Sequence, residues 1–215
     1  MNEGIHHVWV NATGGVPYFE DDVDRLTWIR YLVRAFDVHG SRCIAFCQMT
    51  THVHLILKVG AGVLPLLMRD LNREYAKEFN ARHDRAGVLD RKRYGSRRVS
   101  SDSDLLGVYA YVVLNPVRDA VCRRAEDWWW SSYATTAGFE SAFPFVDGAL
   151  VVAVAGGRTA LRAFIERSAA ELIRANGHGR YLVPAVSERV GVVKGVLSSV
   201  EVSGNLAPCR GGRAT

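Results

Sequence analysis

The chain reads as an α+β protein, an antiparallel sheet with helices packed against it. Three observations predict this. Two strand-like apolar runs, Cys43 to Met49 and Val53 to Val59, flank a short Thr50-Thr51 connection and read as a hairpin. Leu67, Leu71, Tyr75 and Phe79 recur four apart between Leu64 and His83, with Arg69, Arg73 and Lys77 on the opposite side, the pattern of an amphipathic helix. Strand-like and helical patterns interleave over the first half of the chain, as helices packed against a sheet require.

Taken in order, Ile5 to Asn11 is rich in Val, Trp and His and reads as a first strand ending near Gly14-Gly15. Asp21 and Asp22 are N-cap candidates for a helix whose apolar positions run from Leu26 to Phe36 and which stops at Gly40. The hairpin follows, then the Leu64 to His83 helix, with Pro65 tolerated in its first turn. A basic loop leads to Ser100-Ser101-Asp102-Ser103-Asp104, a helix start with acidic residues at the positive end of the dipole. That helix runs to Asn115 and must weaken or end at Pro116. Trp128-Trp129-Trp130 reads as a clasp folding back on the core. Ala149 to Ala175 is helical again, and the Gly-, Ser- and Val-rich remainder from Gly177 reads as a poorly ordered tail.

With 215 residues, 48% hydrophobic and 23% charged, the chain has the composition of a globular protein with a sizeable core. No apolar run approaches the roughly 20 residues that span a bilayer, so no membrane association is expected. The start lacks the basic and apolar regions of a signal peptide, so a cytoplasmic location is expected. Cys43 and Cys47, four apart in a strand-like run, are expected on one side of it as core thiols.

Three groups of residues carry candidate chemistry. His52 and His54 are two apart in a strand, so their imidazoles share a face, which is half of a metal site; the same pair can also line a solvated sheet face. Between Ala81 and Arg98 seven basic residues stand against two acidic ones, a net charge equal to the +5 of the whole chain. Tyr94, Gly87 and Gly95 are interleaved with them, a combination suited to holding phosphates and stacking a base, although a solvated basic loop has the same composition. In the helix before Pro116, Tyr111 and Asn115 are four apart and share a face, whereas Tyr109 pairs with Val113. Core packing is the ordinary role of such a tyrosine.

The order of these motifs resembles the single-tyrosine HUH transposases of the insertion-sequence-200/605 kind, and among them the repetitive-palindrome-associated tyrosine transposases. The resemblance lies in Thr51-His52-Val53-His54-Leu55, Leu71-Asn72-Arg73-Glu74-Tyr75-Ala76, Arg93-Tyr94-Gly95-Ser96, Tyr111-Val112-Val113-Leu114-Asn115-Pro116-Val117-Arg118 and Asp127-Trp128-Trp129-Trp130-Ser131-Ser132-Tyr133. The resemblance covers roughly residues 5 to 135 and implies a ferredoxin-like, RRM-like transposase domain over residues 1–135; the rest of the chain reads from its own pattern as a helical extension over 136–176 and a tail over 177–215.

It also implies roles. Tyr111 would be the nucleophile. His52, His54 and the Asn115 side-chain oxygen would hold a divalent metal, Mg²⁺ or Mn²⁺ by the preference of such donors. Arg91, Lys92, Arg93, Tyr94, Arg97 and Arg98 would contact DNA. The implied reaction cleaves and rejoins single-stranded DNA beside a hairpin through a 5′-phosphotyrosine, by a nucleoid-associated homodimer. Three stretches depart from the family pattern: Thr50-Thr51 in place of Pro-Asn, Asn11 to Gly15 in place of an Arg-Gly-Asn-like turn, and Leu89-Asp90-Arg91 in place of Leu-Trp-Gln. They motivate an alternative, a domesticated protein that binds hairpin DNA without cutting it. A small hydrolase using the His pair alone would leave Tyr111 and the basic stretch without a role.

Overall fold

The computed structural model describes residues 3–14, 16–90, 93–139 and 142–176; the expected tail from Gly177 lies outside them. Strand β1 (Gly4–Asn11) leads to helix α1 (Asp22–His39), the hairpin β2 (Arg42–Gln48) and β3 (His52–Val59), helix α2 (Leu64–Arg82) and strand β4 (Gly95–Arg98). The sheet order is β2-β3-β1-β4, and every neighbouring pair is antiparallel. Helix α3 (Asp102–Val113) then passes through a break at Leu114 into the short α4 (Asn115–Arg118), followed by α5 (Tyr133–Ala137), α6 (Ala149–Val154) and α7 (Arg158–Asn176). The expected α+β architecture is present.

Local chemistry sets the helix ends. The Asp21 carboxylate accepts from the Asp24 N–H at 3.1 Å to cap α1, and Gly40 closes it in the left-handed conformation with its N–H on the Phe36 carbonyl. Pro65 sits in the first turn of α2 as expected. The sheet then divides two cores. Val8 and Val10 of β1 and Val53, Leu55 and Leu57 of β3 bury against Trp28 and Leu32 of α1 and Leu67 and Tyr75 of α2. On the other face Ile56 and Cys47 pack with Val108 and Val112 of α3, and Leu161 and Ile165 of α7, which lies against α4, α5 and α6, complete the same core.

Three sequence expectations need correction. Residues 95–98 are not loop but β4, paired with His6 to Trp9; Gly-Ser-Arg-Arg has no apolar residue because this edge strand has little of its surface buried. Cys43 and Cys47 do not share a face. The register of β2 shifts between Cys43 and Ala45, so the extra residue Ile44 turns Cys43 towards α1 and α2 and Cys47 towards α3. Burial raises both thiols well above their ordinary range. Finally, α3 ends at Val113, short of the expected Asn115; the helical path breaks at Leu114 before Pro116, which sits in the first turn of the separate α4, where a missing N–H is tolerated.

The tryptophan segment is a clasp along the outer edge of β2. The Trp130 carbonyl accepts from the Gln48 N–H at 2.8 Å, and the Trp128 indole donates to the Gln48 carbonyl at 3.0 Å. Beneath it the buried Arg25 donates to the same carbonyl at 2.9 Å, its guanidinium lying 5.1 to 5.5 Å from the rings of Phe19, Trp128 and Trp130. Arg25→Met keeps the stem and removes these contacts. Urea unfolding is expected to show a loss of about 1.5–3 kcal/mol, the range for a hydrogen bond from a charged donor; an unchanged midpoint contradicts a structural role for the guanidinium.

Candidate functional site

Antiparallel pairing of β1 with β3 sets Trp9 opposite His54 and Asn11 opposite His52. Alternation along the strands then turns His7, Trp9, Asn11, His52 and His54 to the face on which α3 packs, away from α1 and α2. The turn carrying His52 is held from β1's far end: the Thr51 carbonyl accepts from the Ala12 N–H at 2.8 Å, and the Thr50 carbonyl from those of Tyr18 and Phe19 at 2.8 and 3.2 Å.

Helix α3 presents its two tyrosines differently. Tyr109 is fully buried, and burial raises its phenol above the ordinary range. Tyr111 is 40% exposed and stands over the histidines, its ring 5.2 Å from His54 and 5.6 Å from His7. The Arg118 guanidinium lies 4.3 Å from the centre of the Tyr111 ring. Tyr111, Asn115 and Arg118 thus recur at helical spacing along one face, although the helix is interrupted at Leu114. With Arg97 and Asp119 they line a cleft of about 540 Å³ over the His-bearing strands.

The sequence-predicted residues Tyr111, His52, His54 and Asn115 all meet in this cleft. Hydrogen bonds occupy one polar atom of each nitrogen or amide donor. His54 Nδ1 lies 3.1 Å from His7 Nε2, His52 Nδ1 lies 3.2 Å from Thr51 Oγ1, and Asn115 Nδ2 donates to the Tyr111 carbonyl at 2.8 Å. The remaining atoms, Nε2 of both histidines and Oδ1 of Asn115, are nitrogen and oxygen donors of the kind divalent ions accept, with the outer contacts that orient such ligands. Among the described residues no group of three or more His, Cys, Asp or Glu side chains is arranged to hold a metal, so an ion here would complete its shell with oxygens from water or a bound substrate.

The basic residues separate. Arg97 lines the cleft while donating to the Asp104 carboxylate at 2.8 and 3.0 Å, and this pairing holds that acid down at about 2. Arg98 pairs with His6 on β1, one residue out of step with His7, and is not among the cleft residues. Tyr94 lines a second cleft together with Trp9 and Asn11. Arg93 lies in a groove beside α2, with its carbonyl accepting from Asn72 Nδ2 at 3.3 Å. Arg91 and Lys92 lie outside the described residues.

His7, Trp9 and Arg118 were missed in the sequence. Arg118 carried a signal, since it falls three residues after Asn115 and seven after Tyr111. His7 and Trp9 are two apart, but which strand lies beside them is not written in β1 itself.

No protein-family model matches the chain, and no curated protein does. Among solved structures, one described as a REP-associated tyrosine transposase bound to a REP hairpin is similar at a TM-score of 0.56 and 13% identity, over 63% of this chain and 79% of that one. The likeness shows the fold. No helix among the described residues is long and apolar enough to cross a membrane.

Burial pulls the imidazole of His54 down to about 3, helped by His52, His7 and Arg118, and that of His7 to about 4, helped by Arg97. Both are therefore neutral near pH 7, as ligation and hydrogen bonding require. Because these values lie below the ordinary 6.5, the unfolded chain takes up protons first as pH falls. The stability they contribute is present above pH 6.5 and is lost progressively as pH falls towards 4 for His7 and 3 for His54. The urea midpoint is expected to fall between pH 7 and pH 5, and to fall less in His7→Asn; equal slopes would contradict this assignment.

Proposed function

We propose that the protein is a single-tyrosine DNA transposase that cleaves and rejoins single-stranded DNA next to hairpins. The observation that carries this reading is the meeting of Tyr111, His52, His54 and Asn115, drawn from α3, β3 and α4, in one open cleft. The fold shared with a transposase solved on a REP hairpin supports it, as does the basic edge formed by β4.

In the proposed reaction Tyr111 Oη attacks the scissile phosphorus, forming a tyrosyl phosphoester as the bond to the 3′ oxygen breaks. The phenolic proton is lost, and the leaving oxygen gains one to become a free 3′ hydroxyl. A later 3′ hydroxyl attacks the tyrosyl ester and releases Tyr111, so strands rejoin without an external energy source. Arg118 holds the tyrosine ring from one side, and Arg97 stands where it can meet a phosphate if it exchanges its contact with Asp104. His52, His54 and Asn115 would hold Mg²⁺ or Mn²⁺, which when bound would neutralise charge on the scissile phosphate and aid departure of the 3′ oxygen. The DNA is held by its backbone, so affinity falls steeply with salt.

The test is incubation with hairpin-bearing single strands and Mn²⁺, followed by denaturing electrophoresis. A denaturation-resistant protein–DNA complex is expected from the native chain and none from Tyr111→Phe, which still binds the hairpin. EDTA, or His52→Ala together with His54→Ala, is expected to abolish cleavage. A persistent complex in Tyr111→Phe, or undiminished cleavage in EDTA, overturns the mechanism. Binding without any complex from the native chain favours the hairpin-binding protein that the altered Thr50-Thr51 and Leu89-Asp90-Arg91 positions suggest.

A further inference from the structure

Trp9 takes no part in the chemistry above, yet it occupies the junction between two clefts. It lines the one that holds Tyr111, His52 and His54, and equally the neighbouring one that Tyr94 also lines. Trp9 pairs with His54 on one side and with Gly95 of β4 on the other. The indole leans over β4: a Cβ built on Gly95 would come within 2.2 to 2.5 Å of three atoms of the Trp9 ring, so only glycine leaves room for it. Trp9 is only half-buried, so part of the indole stays open to the clefts it lines. The indole also meets the His7 ring in a tilted contact, with centroids 5.1 Å apart.

This placement has a physical counterpart. In RNA-recognition modules a four-stranded sheet stacks unpaired bases on aromatic side chains of its open face. Here β1 is a central strand, α3 packs on the β2 and β3 part of that face, and β4 beside Trp9 is largely exposed. A large apolar ring beside a cleft for a phosphate is poorly explained by packing, since Val8 and Val10, which alternate with it, already fill the core on the other face.

We propose that Trp9 is a base-stacking platform for a nucleotide flanking the scissile phosphate, setting how the single strand leaves the Tyr111 cleft towards Tyr94. The inference rests on the reading of the protein as acting on single-stranded DNA. Stacking is sequence-tolerant, so the platform fixes the path and register of the strand and leaves base identity to other contacts.

The test uses single-stranded oligodeoxynucleotides carrying one 2-aminopurine, moved stepwise along the strand, with Tyr111→Phe protein to keep the strand intact. Quenching is expected at one or two adjacent positions. In Trp9→Leu with Tyr111→Phe the quenching is lost and affinity falls about tenfold, while the thermal midpoint stays close to that of Tyr111→Phe. An abasic nucleotide at the quenched position weakens the Tyr111→Phe protein similarly and adds little further loss in Trp9→Leu, as two changes that remove one interaction must. Trp9→Phe, with a smaller ring over Gly95, gives intermediate values, so the proposal is still tested if Trp9→Leu does not fold. Unchanged quenching and affinity in these variants overturn it. If the native chain forms the covalent complex while Trp9 variants bind as before, the platform alone is wrong; if Trp9 quenches but no complex forms, the transposase reading is the one that fails.

Discussion

The pairing of β1 with β3 is the constraint on which the rest of the structure depends. Each strand buries aliphatic residues against α1 and α2 on one side and turns its histidines, with Trp9 and Asn11 of β1, to the α3 side, so sliding either strand by one position would exchange the two sets. Val8, Val10, Val53, Leu55 and Leu57 are completely buried. Each such side chain contributes about 1.5–3 kcal/mol, so together they outweigh by several-fold the roughly 1 kcal/mol of a hydrogen bond such as that between His7 and His54. The site therefore does not hold the sheet in register. The core holds the sheet, and the histidines take the positions left to them.

The second requirement is a helix that brings Tyr111 over those histidines while its neighbours stay in the core. Helix α3 does this by burying Val108, Tyr109 and Val112 in the core on that side of the sheet and leaving Tyr111 on the rim. The break at Leu114 matters for the same site. It leaves Asn115 to start α4, and its amide nitrogen turns back to the Tyr111 and Val112 carbonyls, so that the oxygen remains for other partners. The nearly buried Asn115 is thus held at the end of one helix and the start of the next.

Elements with strong periodicity were legible in the sequence because a continuous apolar face has only a few structural solutions. The strands β1, β2 and β3 and the helices α1 and α2 follow directly from their patterns, and the Tyr111–Asn115 pair follows from helical spacing. Strand β4 was not legible, since Gly95 to Arg98 owe their conformation to pairing with β1 and carry no apolar signal. The opposed faces of Cys43 and Cys47 were hidden by a single bulged residue, which no composition reveals. His7 and Trp9 were missed because their roles come from what lies beside β1, and strand order is a property of the whole chain. The basic stretch was visible as charge but not as geometry: Arg97 reaches the cleft, and Arg98, its sequence neighbour, alternates away from it.

The central claim is that sheet register and the α3–α4 break assemble a cleft in which Tyr111 acts on a DNA phosphate. Its most direct measurement is proteolysis of the protein after incubation with hairpin-bearing single-stranded DNA and Mn²⁺, followed by mass spectrometry of the nucleotide-bearing peptide. The account expects a nucleotide joined through its 5′ phosphate to Tyr111. A nucleotide on any other residue, or one joined through a 3′ phosphate, would contradict it.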